Sequence, residues 1–126
     1  MKKLPKHVLV VDDSPVNRAV LTAFLKRAGV LLIDHACDGE EALSKIHSEE
    51  KSEHPFDLVF SDFWMPNMNG LEFIEKLREG PQFKTLSVFA LTADTENQSD
   101  PRARLFSGLL LKPLTYGKLI EVLASM

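Results

Sequence analysis

The chain has one cysteine, one tryptophan and one tyrosine in 126 residues. A lone thiol, Cys37, cannot close an internal disulfide, so stability has to come from a packed core, as suits a reducing compartment. Long hydrophobic runs are missing too. No stretch approaches the roughly 20 apolar residues that a membrane helix needs. The opening MKKLPKHVLVVDD sets lysines ahead of apolar residues. Its run from Val8 to Val11 is nevertheless far shorter than the apolar segment of a signal peptide, and it ends in two acids. The 15 basic residues are outnumbered by 18 acidic ones and form no stripe interleaved with aromatics, which argues against a nucleic-acid binder. The histidines (His7, His35, His47 and His54) lack metal-site spacing and read as surface or packing residues, and Cys37 reads as a small buried side chain. With no repeat, low-complexity tract or dividing linker, residues 1–126 are expected to form a single soluble domain.

What is present is an alternation. Apolar residues make up 44% and charged residues 26%, a globular balance. His7 to Val11 reads as a buried strand ending at Asp12 and Asp13. Ser14 suits an N-cap and Pro15 the first helical position. Val16, Ala19, Val20, Ala23, Phe24 and Arg27 follow helical spacing until Gly29 stops it. Leu31 to His35 is a weaker strand, and Asp38-Gly39 turns into a helix carrying Ala42, Leu43 and Ile46. Phe56, Leu58, Val59 and Phe60 form a third strand running into Asp62, after which Pro66, Asn67, Asn69 and Gly70 supply turn chemistry. Leu71, Phe73, Ile74 and Leu77 make the next helix, ended by Gly80 and Pro81. Leu86 to Leu91 is a fourth strand meeting Thr92. The following ADTENQSDPRARLFSG is the least regular part, with Asp100 and Pro101 opening about two helical turns through Phe106. Leu109 to Leu111 is a short fifth strand before Lys112-Pro113, and Thr115 caps a last helix with Leu119, Ile120, Val122 and Leu123. Strands alternating with helices, without hairpin signals, predict right-handed crossovers and a doubly wound parallel sheet covered on both faces.

Open sheets of this kind bind ligands beyond the carboxyl ends of their strands. Four of the five expected strands end there in a polar group: Asp12 and Asp13, Asp62, Thr92, and Lys112. Each alone has a plain structural explanation, as a helix-dipole acid, a turn residue, a cap or a solvated lysine. Together they bring three carboxylates, a hydroxyl and an ammonium to one edge. Carboxylates a few ångströms apart repel by about 1–4 kcal/mol per pair in partly wet surroundings, so the group either keeps a proton or takes a hard divalent cation. An oxygen-only donor set favours Mg²⁺ (or Mn²⁺) over zinc. A lysine and a hydroxyl at the same point suit a phosphoryl group, and the chemistry that fits is transfer to a carboxylate, with Asp62 as acceptor.

VLVVDDSPVNR, SDFWMPNMNG, ALTA and LLLKPL, in this order, resemble the receiver domain of two-component response regulators and hybrid histidine kinases. The resemblance covers nearly the whole chain. It implies a flavodoxin-like five-stranded parallel sheet of order 2-1-3-4-5 with helices on both faces. Asp62 is implied as phospho-acceptor, Asp12 and Asp13 as the Mg²⁺ pair with the Trp64 backbone carbonyl as a further ligand, Thr92 as the switch hydroxyl and Lys112 as the phosphate partner. A cis Lys112–Pro113 bond is also implied. The DDSPVNR opening is most similar to receivers of hybrid sensor kinases. The implied partners are therefore a histidine kinase or histidine phosphotransfer domain, with no nucleic acid or membrane contact by this domain. The implied location is cytoplasmic, either stand-alone or as the cytoplasmic part of a membrane-bound hybrid kinase. Loss of the phosphoryl group by self-catalysis would make the domain only partly an enzyme.

The chain departs from the family pattern at Leu109, where receivers usually carry Tyr or Phe three residues before the lysine. The aromatic half of the usual switch is thus absent. Asp94 to Pro101 is expected to be mobile. Trp64, two residues beyond the acceptor, is unusually large, and with Asp94 close to the site it is expected to slow autodephosphorylation. Two other readings compete. A pseudo-receiver would keep the fold as a phosphorylation-independent interaction domain. A haloacid-dehalogenase-like phosphatase would need an acid two residues beyond its nucleophile, where Asp12 is followed by Ser14.

Overall fold

The computed structural model describes residues 4–93 and 100–126. Its five strands are β1 (His7–Val11), β2 (Leu32–Ala36), β3 (Leu58–Asp62), β4 (Ser87–Thr92) and β5 (Gly108–Leu111). They form one parallel sheet in the order β2-β1-β3-β4-β5, as expected. Among the described residues the α-helices are α1 (Pro15–Ala28), α2 (Gly39–Glu49), α3 (Gly70–Glu79) and α4 (Tyr116–Ser125), and 3-10 segments lie at Pro81–Phe83 and Pro101–Leu105.

Every residue of β1 and β3 is buried, which explains the continuous apolar runs over residues 8–11 and 58–60 within them: a strand covered on both faces need not alternate. Val8, Val10, Leu58 and Phe60 point into a layer with Leu21 and Leu25 of α1 and Leu119, Val122 and Leu123 of α4. Leu9, Val11 and Val59 point the other way, among Ala42 and Ile46 of α2 and Phe73, Ile74 and Leu77 of α3. Burying one such large side chain is worth about 1.5–3 kcal/mol, so two filled layers rather than any single contact hold the sheet between its helices.

The helix boundaries follow the capping chemistry. Ser14 Oγ accepts the Asn17 N–H at 3.2 Å, and Gly29, at φ 108°, closes α1 in the left-handed region. Asn69 and Glu72 form a reciprocal capping box at α3, which starts the helix eight residues after Asp62 and limits how far the intervening loop can wander.

Several expectations need correction. The α1 residues picked out by spacing include Val16 and Val20, which are 70% and 47% exposed, whereas the buried pair is Leu21 and Leu25. Apolar residues surround more than half of α1, so periodicity selected a neighbouring stripe. The second strand starts one residue later than expected, leaving Leu31 89% exposed outside it. The turns after Asp100 are 3-10 rather than α, and Arg78 of α3 fastens them by donating from Nε to the Leu105 carbonyl at 3.0 Å and from its other side to Phe83. Cys37 is exposed, because it sits past the end of β2 in the turn whose backbone N–H is taken by Glu41. The expectation of mobility from Asp94 to Pro101, and any role of Asp94, fall largely on residues 94–99, outside the described residues.

Candidate functional site

Backbone register, more than side-chain preference, assembles the site. Val11 pairs with Ser61, so the next residues, Asp12 and Asp62, leave adjacent strands side by side. Asp62 is the last residue of β3 and pairs with Leu91 of β4, and Thr92 pairs with Leu111 of β5, one residue before Lys112. Each departing chain is tied once more to its neighbour. Asp12 N–H donates to Ala36 O at 3.0 Å, Phe63 N–H to Leu91 O at 3.2 Å and Lys112 N–H to Thr92 O at 2.9 Å. All five residues named from the strand ends therefore lie on one edge.

Their side chains converge. Lys112 Nζ stands 3.1 Å from Asp62 Oδ1 and 3.9 Å from Asp12 Oδ2. Asp62 Oδ1 also accepts the Phe63 N–H at 2.8 Å. One carboxylate oxygen from each of Asp12, Asp13 and Asp62 falls within 4.8 Å of the others. Asp12, Asp62 and Thr92 are buried and Asp13 is exposed. Burial pushes the Asp12 carboxyl above its ordinary range. The Ser14 N–H opposes this, the Asp62 charge adds to it, Lys112 opposes it, and Asp13 adds again. One ammonium is thus set against three acids. The residues fit a hard divalent cation, because the donors are all oxygen and a cation relieves repulsion that Lys112 leaves standing. Arg18 supports the acid pair from behind, its guanidinium donating to the Asp12 carbonyl at 2.6 Å.

The loop after Asp62 is held at several points. Gly70 N–H donates to Phe63 O at 2.8 Å, and a Cβ on Gly70 would lie 2.4 Å from the Asp62 carbonyl oxygen, so no larger residue fits there. Asn67 adopts φ 63° and donates from its amide to Asp38 Oδ2 at 2.8 Å, across to the start of α2. Trp64, in the same loop, is 56% exposed. The Lys112–Pro113 bond is cis. Leu109 is partly buried against the α2–α3 layer. An aromatic does reach the neighbour of Asp62 from elsewhere: Phe106 is buried with its ring 5.7 Å from that of Phe63. Beside Asp12 and Lys112 a cavity of about 530 Å³ opens between the sheet and α1, walled by Val20, Leu21, Phe24 and Leu114.

Sequence reasoning named the five charged and polar groups but passed over Arg18, Asp38 and Asn67. Arg18 was visible only as part of the DDSPVNR string, and Asp38 and Asn67 only as turn formers. Phe106 had no signal beyond its apolar character.

Comparison with known proteins agrees with this geometry. The profile of the response regulator receiver domain matches residues 8–124. The chain is 36% identical over 114 residues to a probable chemotaxis protein CheY of Rhizobium etli, covering 89% of this chain and 84% of that protein. It is 37% identical over 111 residues to the sensor protein EvgS of Escherichia coli, covering 86% of this chain but only 8% of EvgS. Among solved structures, the response regulator TrrA of Thermotoga maritima, in complex with Mg²⁺ and beryllofluoride, superposes with a TM-score of 0.83 at 33% identity, over 95% of this chain and 97% of that one. Fold, acidic cluster and family profile agree, and the chain belongs to the response regulator receiver domains of two-component signalling.

Proposed function

We propose that Asp62 accepts a phosphoryl group from a phosphohistidine on a histidine kinase or histidine phosphotransfer domain. The observation that carries this is the buried Asp62 carboxylate, 3.1 Å from Lys112 and crowded by two further acids. Asp62 Oδ1 is engaged by Lys112 and the Phe63 N–H, so Oδ2 is assigned as the attacking oxygen. Its bond to phosphorus forms as the P–N bond breaks. The electron pair stays on the imidazole nitrogen, which is protonated from solvent. Mg²⁺ (or Mn²⁺) bound by Asp12, Asp13, Asp62 and the Trp64 carbonyl would neutralise charge on the phosphoryl oxygens. Lys112 exchanges its carboxylate partner for a phosphoryl oxygen, and Thr92 supplies a hydroxyl to another. That exchange, at the junction of β4 and β5, is the proposed origin of the conformational switch. The exposed Val20, which lines the cavity at Asp12 and Lys112, and Val16 one helical turn before it offer an apolar surface on which the donor's helix can rest.

Trp64 is proposed to screen the acyl phosphate from water. The location proposed is the cytoplasm, free or within a hybrid kinase. Among the described residues no helix is long and apolar enough to cross a membrane. Beryllofluoride with Mg²⁺ tests the core of the reading. It should give a saturable shift of amide signals around Asp62 and Thr92, and a phosphohistidine donor should add one phosphoryl group to Asp62 by mass. A chain that responded to neither would act as an interaction domain alone.

A further inference from the structure

The loop between β3 and α3 carries both Asp62's successor and Trp64, yet its middle is not held by the sheet. It is held by α2. Asp38 divides its carboxylate between two tasks: Oδ1 caps α2 by accepting the Glu41 N–H at 2.8 Å, and Oδ2 accepts the Asn67 amide at 2.8 Å. One residue on, Gly39 N–H donates to the Met68 carbonyl at 3.0 Å. The approach is close enough that a Cβ on Gly39 would lie 2.8 Å from Met68 Cγ and 2.9 Å from its carbonyl oxygen. Asn67 meets Asp38 only by taking φ 63°, a left-handed conformation that asparagine tolerates better than most residues. Glu41 N–H and the Asn67 amide hold the Asp38 carboxyl below its usual range, so it is ionised wherever the protein is folded at neutral pH.

We propose that Asn67 and Asp38 are positioning residues: their contact holds the main chain of Trp64 in the pose from which its carbonyl serves the cation, and it transmits cation occupancy to the first turn of α2. The inference rests on the assignment of the cation site made above. Coupling of this kind is reciprocal, so a cation that favours the latched loop must also favour the latched α2 terminus. It gives site occupancy a route to the β2–α2 side of the domain that does not pass through Thr92 or position 109.

Mg²⁺ titration of the whole chain, followed by backbone amide shifts and by amide exchange, tests this. Asn67→Gly removes the amide while keeping the left-handed conformation easy. It should weaken Mg²⁺ about threefold to tenfold, the range of one ordinary net hydrogen bond. Asp38→Asn still caps α2, and Asn67 can turn its amide over to accept from it, so Mg²⁺ affinity should stay within about twofold of the wild type. Asp38→Ala, which removes the acceptor, should weaken Mg²⁺ by a similar factor to Asn67→Gly, and combining those two should weaken it no further, as for residues acting through one contact. In the wild type Mg²⁺ should slow exchange at residues 40–43, and in Asn67→Gly it should not. The inference is overturned if Asn67→Gly binds Mg²⁺ like the wild type, if Asp38→Ala and Asn67→Gly weaken it additively, or if α2 exchange ignores Mg²⁺. A wild type that bound no Mg²⁺ would instead overturn the cation site itself, and the inference with it.

Discussion

The two ends of the sheet handle charge in opposite ways. At the amino end, His7 is buried with Nδ1 2.7 Å from the His54 carbonyl and Nε2 2.7 Å from Asp34, and its ring lies 4.0 Å from that of Phe56. Nearby, Asp57 accepts the backbone N–H groups of Lys6 and His7 at 2.8 and 3.1 Å and returns its own N–H to the His7 carbonyl. Every polar group named there faces a protein partner, and these contacts fasten β1 to β2 and to the segment entering β3. At the carboxyl end, three carboxylates crowd together and Lys112 pairs with two of them, Asp12 and Asp62, while burial raises the Asp12 carboxyl. One end is satisfied by the protein alone. The other is left with a charge imbalance that a cation and a phosphoryl group can correct. A polar cluster in a crevice is therefore better judged by what it still lacks than by how many charges it holds.

That contrast can be broken by substitution. The largest effect is expected from Asp62→Asn, which should cut phosphoryl transfer by at least about a hundredfold while leaving the fold intact, measured by mass after incubation with a phosphodonor. Asp57→Ala at the other end should do the reverse. It should lower unfolding stability by about 1–2 kcal/mol in a urea titration with no change in Mg²⁺ affinity. Equal effects on Mg²⁺ from both ends would abolish the distinction.

A finer test uses pH. The folded chain holds the Asp12 proton more tightly than the unfolded chain. Its contribution is therefore complete below the ordinary carboxylate range and is lost as pH rises through the raised titration of the folded state. Asp12→Asn should remove that decline and stabilise the cation-free protein at neutral pH by about 1 kcal/mol, the low end for neighbouring carboxylates. Added Mg²⁺ should then stabilise the wild type more than the variant. The smallest structural effect is expected at Trp64. Since the side chain is 56% exposed, Trp64→Ala should leave stability within about 0.5 kcal/mol. The phosphoryl half-life should nevertheless shorten, by about twofold to tenfold if water exclusion is its role. An unchanged half-life would leave the Trp64 side chain without a part in the chemistry.

The strands and the charged edge were legible because both are written in runs: an apolar segment of strand length ending in a polar residue carries its meaning locally, whereas the strand order was implied only by the resemblance to receiver domains. The buried face of α1 was not legible, since Val16, Val20, Leu21, Phe24 and Leu25 spread around the helix and only packing decides which of them go inside. The Asn67–Asp38 contact joins residues 29 apart in sequence, each of which alone looks like an ordinary turn former. Cys37 illustrates the limit of composition: cysteine is commonly buried, but a position beyond the end of an edge strand overrides that habit.

Trp64 also has a practical consequence. It is the chain's only tryptophan, and it stands half in solvent within three residues of Asp62. The single tyrosine, Tyr116, belongs to α4, where it packs edge-on to Phe24 under the Arg27 guanidinium. The protein therefore carries a native optical reporter in the loop where ligands would arrive. Its emission can follow their arrival and departure in real time, without a label, a reporter substitution or any disturbance of the rest of the domain.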